Sequence, residues 1–513
     1  MSKYTQVERD GLFELTDVAR AELSSSKYYN EDLAPTSISQ RTWTTYHISM
    51  LWVGMSVCIP SFTMASSLVG LGLSPWLAVF NVALGNIIIL IPIQLNSHAG
   101  TRYGIPFPVF ARLTFGSVGA HIPSLSRALT ACGWCAIQSW IGGASFVAII
   151  AVFVPSFSSM TAAPFIGFGI FLLLVLWIAY TGSESIKAME AVGGPILIVL
   201  TIALLIWATN LALGAGFSIG DITQAATDYA LTDANGGFWY VFMGGLTANI
   251  AFWATMALNI PDFSRYAKSQ KAQFRGQLYG MPLMMAVCAF VGAYFAQSTK
   301  LVMGEAIFDP TAVLLMLDNP IVVVVTSIGV IIATLTTNIA ANVVAPANGF
   351  SNISPNRISY KMGVVATCVI AVAFQPWWIF GGAGAYIFGW LGTYGSILSP
   401  IAAIFVADYY LVKKRNIDVM ALFQGPEGRY WYQNGFNVRA IIAWVVAFAL
   451  PLMGNFGVGA GTAFGTILHW IAANGYVFGF FVGLVVYMLL MKNEKTSFLT
   501  DEEHEALTER ASA

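Results

Sequence analysis

Trp52-Val53-Gly54-Met55-Ser56-Val57-Cys58-Ile59-Pro60-Ser61-Phe62 lies inside an uncharged run long enough to cross a lipid bilayer. Glycine and proline in the middle of such a run interrupt its helix. An interrupted helix leaves N–H and C=O groups without intrahelical partners. In hydrocarbon these are tolerated only where they line a cavity or bind something. The stretch therefore reads as one wall of a binding site.

Its surroundings support the membrane reading. Of 513 residues, 57% are hydrophobic and 10% charged, against about 25% charged in soluble domains. The chain is a polytopic membrane protein by composition. Its net charge of −1 gives no basic footprint for nucleic acid. The five cysteines, Cys58, Cys132, Cys135, Cys288 and Cys368, all fall in apolar segments, which argues against a disulfide framework. Cys132-x-x-Cys135 has the spacing of half a metal site, but no second Cys or His pair accompanies it, so the two read as small packing residues. The polar residues 1–41 have no apolar core of the signal-peptide kind, leaving the first crossing helix to target the chain.

Uncharged runs long enough to span predict an all-α fold with twelve transmembrane helices, at roughly 46–71, 76–96, 128–152, 163–181, 191–214, 238–260, 277–299, 320–345, 362–381, 383–407, 440–457 and 470–491. The ninth and tenth divide between Pro376 and Gly384. Lys and Arg test the partition, because cytoplasmic loops collect them. With both termini cytoplasmic, the inner segments hold every Lys and Arg except Lys300. The 6–7 loop carries Arg265, Lys268, Lys271 and Arg275, whereas the outer loops carry Asp221, Asp228, Asp233, Glu305, Asp309 and Asp318.

Helix 1 is interrupted at Gly54 and Pro60, and helix 6 contains Gly244-Gly245 and ends Asn259-Ile260-Pro261-Asp262. Interrupted helices five apart suggest a five-helix repeat, which must be inverted because five is odd. Such repeats place substrate and ion at the midplane against the broken helices. Gly and Pro are also common in membrane helices generally, so spacing alone leaves both readings open. The predicted organisation is a tail 1–45, a first repeat 46–214, a second repeat 238–410, extra helices 440–491 and a tail 492–513.

None of the twelve predicted spans holds Asp, Glu, Lys, Arg or His well inside, His47 standing at one end. Buried carboxylates mark proton relays and counter-ions for cationic ligands, and hydrolysis needs a base or metal ligands placed together. The sequence thus argues against a carboxylate relay, an amine ligand and an enzyme. A neutral polar ligand held by amides, hydroxyls, backbone and aromatic faces fits what remains.

In helix 3, Trp134 and Gln138 stand four apart and share a face. A π-surface beside an amide grips a planar hydrogen-bonding ring; the same pair also fits plain packing and bonding between helices. In helix 8, Ala333, Thr336 and Thr337 offer one carbonyl and two hydroxyls on one face. These are neutral oxygens that a small hard cation accepts, although membrane Ser and Thr commonly bond back to their own backbone. Asn338 and Asn342 are four apart, and at least one must meet a ligand or polar partner. In helix 6, Trp253 falls inside the span rather than at an interfacial end, which favours a second stacking face over an aromatic-belt anchor. The segment His98 to Pro108, rich in Gly and Pro, predicts fixed turns in the 2–3 connection.

Asn30-Glu31-Asp32-Leu33-Ala34-Pro35 followed by Gln40-Arg41-Thr42-Trp43, the 98–108 segment, Asn259-Ile260-Pro261-Asp262-Phe263-Ser264-Arg265, and Asn342 leading into Ala345-Pro346-Ala347 together resemble the nucleobase-cation-symport-1 family. The resemblance implies a LeuT-like five-plus-five inverted repeat with two extra helices, and import of nucleobases, hydantoins or allantoin with sodium or protons. Carried over from the family's hydantoin permeases, it implies that Trp134 and Trp253 sandwich the ligand ring while Gln138 and Asn342 hydrogen-bond it. It also implies a sodium site of the Gly54, Val57 and Ala333 carbonyls with the Thr336 and Thr337 hydroxyls. The sequence departs at Cys58, where hydantoin permeases carry glutamine and allantoin-type members tend to carry asparagine. A thiol is a weak hydrogen-bond partner, so a ligand contact is lost or moved, and Asn249 is one position that supplies a replacement amide.

The expectation is a plasma-membrane symporter for a neutral planar heterocycle, with sodium as coupling ion and lipid as its surroundings. No nucleic acid and no obligate protein partner are expected. Proton coupling is the first alternative, and a channel or ligand sensor on a transporter scaffold is the alternative of another class.

Overall fold

The computed structural model describes residues 4–29, 31–181, 183–353, 357–494 and 499–510. Asn30, which begins one of the motifs above, lies outside them.

Helix occupies all twelve predicted positions. Among the described residues, eight helices are long and apolar enough to cross a bilayer: helix 2 (Pro75–Tyr103), helix 3 (His121–Phe153), helix 4 (Ala163–Thr181), helix 5 (Pro195–Gly214), helix 7 (Gln270–Met303), helix 8 (Pro320–Ser351), helix 10 (Ala385–Val412) and helix 11 (Val438–Asn455). Helix 1 is a bent pair, Thr45–Ser56 and Ile59–Gly70, and so is helix 12, Ala463–Ala473 and Gly475–Met491. The first part of helix 6 (Phe238–Phe252) and helix 9 (Tyr360–Ala373) are shorter apolar helices. The expected continuous helix 12 over 470–491 is instead bent by 90° at Asn474, so only Gly475–Met491 continues the span.

Both predicted interruptions exist, displaced from the residues that suggested them. Helix 1 turns by 57° between Ser56 and Ile59, with Gly54 still inside the first helical segment. Pro60 falls in the first turn of the second segment, where its missing N–H is needed by no one. It starts a helix rather than breaking one. Helix 6 breaks at Trp253, between Phe238–Phe252 and Ala254–Asn259. Gly244 and Gly245 stay helical and serve close packing: a Cβ on them would meet Phe388 at 2.4 Å and Leu68 at 2.5 Å.

Helix 2 is joined to helix 6 by asparagines along its length. Asn81 donates to the Phe242 carbonyl at 2.7 Å and accepts from Asn249 at 2.9 Å, Asn86 accepts from the Trp253 indole at 2.8 Å, and Asn96 donates to the Ala257 carbonyl at 2.7 Å. Each of these buried amides makes at least one bond across the interface, which fixes the two helices against each other. Residues 98–103, expected as turns, complete helix 2; the true turn is Gly104 to Pro106, with Gly104 at φ 69°.

Arg127, Asp408 and its partner Lys413 are buried, although all three lie outside the uncharged runs. Arg127 is buried because helix 3 starts at His121, and Asp408 is fully buried because helix 10 continues through a π-helical turn, Ala407–Val412. The Asp408 carboxylate pairs with Lys413 and accepts hydroxyls from Thr114 and Tyr487 at 2.9 and 2.7 Å.

The tails are folded. Strand β1 (Gln6–Arg9) pairs antiparallel with β2 (Leu12–Leu15) through Asp10-Gly11, both at positive φ, and parallel with β3 (Thr508–Arg510). This three-stranded sheet is an addition to the expected all-helical architecture. It puts both termini at one end of the molecule, which requires an even number of crossings. At that end Arg41 is buried, donating to Thr36 and Phe13 carbonyls and, at 2.8 Å, to that of Thr101. Burial pulls its guanidinium down to about 10, and its position over the last helix 2 carbonyls suits a cation at a helix C-terminus.

Candidate functional site

The backbone at the break of helix 1 decides what the site offers. In a continuous helix Cys58 N–H would bond the Gly54 carbonyl and Ser61 N–H the Val57 carbonyl. Here Cys58 donates to Ser56 and Ser61 to Cys58, each at 3.0 Å. The carbonyls of Gly54 and Val57 are thereby relieved of their helical donors. Val57 is buried and packs in one apolar cluster with Ala333 of helix 8 and Leu197 of helix 5.

Immediately beyond, a small cavity is walled by Cys58, Ile59 and Pro60, by Gln138 of helix 3, by Leu197, and by Ala333, Thr334 and Thr337 of helix 8. The Gln138 side-chain oxygen is buried without a hydrogen-bond partner, and the Cys58 thiol lies 3.2 Å from the Ser61 hydroxyl. The Thr337 hydroxyl donates to the Ala333 carbonyl at 3.0 Å and that of Thr336 to the Ile332 carbonyl at 2.8 Å. A hydroxyl that donates its proton keeps two lone pairs. The back-bond therefore leaves the Thr337 oxygen able to accept a cation beside the cavity. Carbonyl and hydroxyl oxygens without an ionised group are a donor set that fits a monovalent hard cation.

Trp134 and Trp253, neither of them on the cavity wall, meet through one intermediary. Phe252 stands edge to face with Trp134 at 5.3 Å and with Trp253 at 5.1 Å. Trp253 also meets Trp52 edge-on at 5.1 Å and donates its indole N–H to Asn86. Trp134 faces Tyr386, Trp390 and Tyr394 of helix 10, and Tyr386 reaches the Pro60 carbonyl at 3.3 Å. Thus Cys58, Gln138, Ala333 and Thr337 share one cavity, Val57 packs beside it, and Trp134 is linked to its wall through Tyr386.

The other expected residues stand apart from that cavity. Asn249 faces helix 2, bonded to Asn81 and to the Gly245 carbonyl. Asn342 lies in a π-helical turn, Ile339–Val343, and donates to Asn338 at 3.2 Å, which in turn donates to Ser139 of helix 3 at 3.2 Å. Thr336 is not on the cavity wall, and Gly54 is exposed. Tyr386, Trp390 and Tyr394 were missed, although their spacing of four puts three aromatic rings on one helical face. Asn86 and Phe252 carried no such signal.

Comparison with known proteins supplies the family. The family model described as a permease for cytosine/purines, uracil, thiamine and allantoin matches residues 35–483. The chain is 38% identical to the purine-uracil permease NCS1 of Arabidopsis thaliana, covering 93% of this chain and 80% of that one. It is 32% identical to the allantoin permease of Bacillus subtilis (strain 168), covering 91% and 94%. The fold is similar to that of Mhp1, a nucleobase-cation-symport-1 family transporter, in a closed conformation with bromovinylhydantoin bound, with a TM-score of 0.73 at 22% identity over 94% of this chain and 99% of that one. An interrupted first helix facing helix 8, an aromatic surround and a match along almost the whole chain have one reading: this protein belongs to the nucleobase-cation-symport-1 family of multi-pass membrane permeases.

Proposed function

We propose that the protein is a secondary active symporter that imports a neutral planar cyclic amide or ureide of the allantoin, nucleobase or hydantoin type, coupled to sodium by alternating access. The observation that carries this reading is the cavity at the break of helix 1, whose wall brings an unpartnered amide oxygen and hydroxyl and carbonyl oxygens together without a carboxylate or a basic side chain. A buried acceptor such as Gln138 favours a ligand that supplies a ring N–H, since an unmet buried acceptor is costly. Trp134 and Trp253 supply aromatic area for the faces of that ring, with Asn342, Asn249 and Cys58 as further candidate contacts. Sodium is assigned to the carbonyls of Gly54, Val57 and Ala333 with the hydroxyls of Thr336 and Thr337.

Ion and ligand at adjoining positions favour the same conformation, and the coupling between them is reciprocal. Transport follows as helices 3 and 8 move against helices 1 and 6. The concentration of Lys and Arg on the side of the termini supports a cytoplasmic placement of both in the plasma membrane.

Radiolabelled allantoin, uracil and hydantoin offered to proteoliposomes under an imposed sodium gradient test the reading. Accumulation above the external concentration is expected for at least one ring. Equilibration without accumulation indicates a channel or sensor. Undiminished accumulation in sodium-free buffer with a pH gradient replaces sodium by the proton.

A further inference from the structure

Trp253 occupies the break of helix 6, with φ −100° and ψ 15°, between two helical segments. At such a position the regular neighbours of a helix do not orient the ring, so something else must. Its indole N–H donates to the Asn86 side-chain oxygen at 2.8 Å. The direction of that amide is itself determined, because Asn86 gives its N–H to the Val82 carbonyl at 2.8 Å on its own helix. That bond turns the nitrogen back to helix 2 and the oxygen toward the Trp253 indole. Asn86 is fully buried, and helix 2 is held against helix 6 by the Asn81–Asn249 and Asn96–Ala257 bonds on either side. Two rings complete the enclosure, Trp52 at 77° and Phe252 at 85° to the Trp253 plane. The indole N–H groups of Trp52 and Trp390, also buried nearby, have no such acceptor.

We propose that Asn86 of helix 2 is a positioning residue that fixes the plane of the Trp253 ring and so sets the affinity for a planar ligand. This rests on the reading of Trp253 as a ligand-stacking face. A ring free to rotate about its side-chain torsions must be ordered by each ligand that stacks on it, and pre-ordering removes that cost from binding. Asn86 touches no ligand in this account; it acts through the indole.

The test is equilibrium binding of radiolabelled allantoin, with uracil in parallel, to the purified full-length protein with sodium chloride present. Asn86→Ala is expected to weaken binding about tenfold, the scale of one buried hydrogen bond. Asn86→Asp is expected to stay within about threefold, because a carboxyl keeps an oxygen at the same reach and, protonated, still donates to Val82. Trp253→Phe, which keeps a ring but not the donor, is expected to lose affinity, and Asn86→Ala added to it to cost no more than about twofold further.

A purely structural role for Asn86 moves different readouts. It would lower the melting temperature of Asn86→Ala without changing affinity, and its effect would persist in the Trp253→Phe background; either result overturns the proposal. Should Asn86→Ala fail to accumulate, Asn86→Asp and Trp253→Phe decide: wild-type affinity in Trp253→Phe, or an Asn86→Asp loss as large as that of Trp253→Phe, overturns it. Unchanged binding in Trp253→Ala overturns the stacking reading together with the proposal. Weakened binding in Trp253→Ala with unchanged binding in Asn86→Ala overturns the proposal alone.

Discussion

The Lys413 ammonium donates to both oxygens of the Asp408 carboxylate, at 2.6 and 2.7 Å, with neither side chain exposed to solvent. The pair joins the end of helix 10 to three other elements, through Thr114, Tyr487 and the Tyr432 hydroxyl that accepts from Lys413 at 3.0 Å. A buried pair adds little over an apolar replacement, but removing one partner strands the other. Lys413→Met is therefore expected to cost about 3–5 kcal/mol. Adding Asp408→Asn should recover much of it, since an amide still accepts from Thr114 or Tyr487. The fraction of protein that stays monodisperse as temperature rises measures both. A Lys413→Met variant as stable as the parent would show that the pair does not hold these elements together.

The proposed sodium site is tested at Thr337. Its oxygen borders the cavity while its proton is committed to the Ala333 carbonyl. Thr337→Ala is expected to raise the half-saturating sodium concentration about tenfold, one lost ligand's worth, with Thr337→Ser close to the parent. Sodium titration of ring uptake in proteoliposomes is the measurement. Full sodium stimulation in Thr337→Ala would remove this residue from the ion site.

The proposed ligand contacts are tested at Cys58 and Gln138, which line the same cavity. Gln138→Leu removes the unpartnered oxygen and is expected to weaken ring binding by about tenfold or more. Cys58→Asn places a strong donor and acceptor where a weak one stood. It is expected to change the ratio of allantoin to uracil affinity by at least about tenfold. A ratio that does not move would take Cys58 out of ligand selection.

Two glycines should respond oppositely to alanine. A Cβ on Gly85 would come within 2.6 Å of the Asn249 Cβ, whereas one on Gly54 meets nothing within 4 Å. Gly85→Ala wedges helix 2 from helix 6 and is expected to cost about 1–3 kcal/mol. Gly54→Ala should leave thermal stability unchanged or slightly raised, as expected in a helix interior. Equal melting temperatures for the two variants would mean that the helices part without cost.

Hydropathy and length located the twelve helices because a bilayer demands long apolar runs from each segment independently. The breaks in helices 1 and 6 were legible as events but misplaced in sequence. Proline announces where a helix starts as readily as where one stops, and Gly244 and Gly245 are small for packing rather than for bending. On the wall of the candidate cavity, Gln138 and Thr337 stood out in the sequence because each lies at helical spacing from another polar or aromatic residue. Asn86 was not, since its importance is a bond to Trp253 across 167 positions of sequence. Asp408 was hidden by a π-helical turn that carries helix 10 beyond the end of its uncharged run. The Asp10-Gly11 hairpin was not read from the sequence, although its two residues are a hairpin turn signal, and the strand that completes its sheet lies about 500 positions away.

That sheet also imposes an order on the protein's assembly. Gln6 and Thr508, joined by a 3.0 Å side-chain bond, are 502 positions apart, so β1 is made among the first residues and meets β3 only among the last. Throughout synthesis the hairpin presents an unpaired edge, and no intermediate length of chain can satisfy it. A chain that ends before Thr508 leaves that edge of β1 without its parallel partner, so closure of the sheet comes only after every intervening helix has been made.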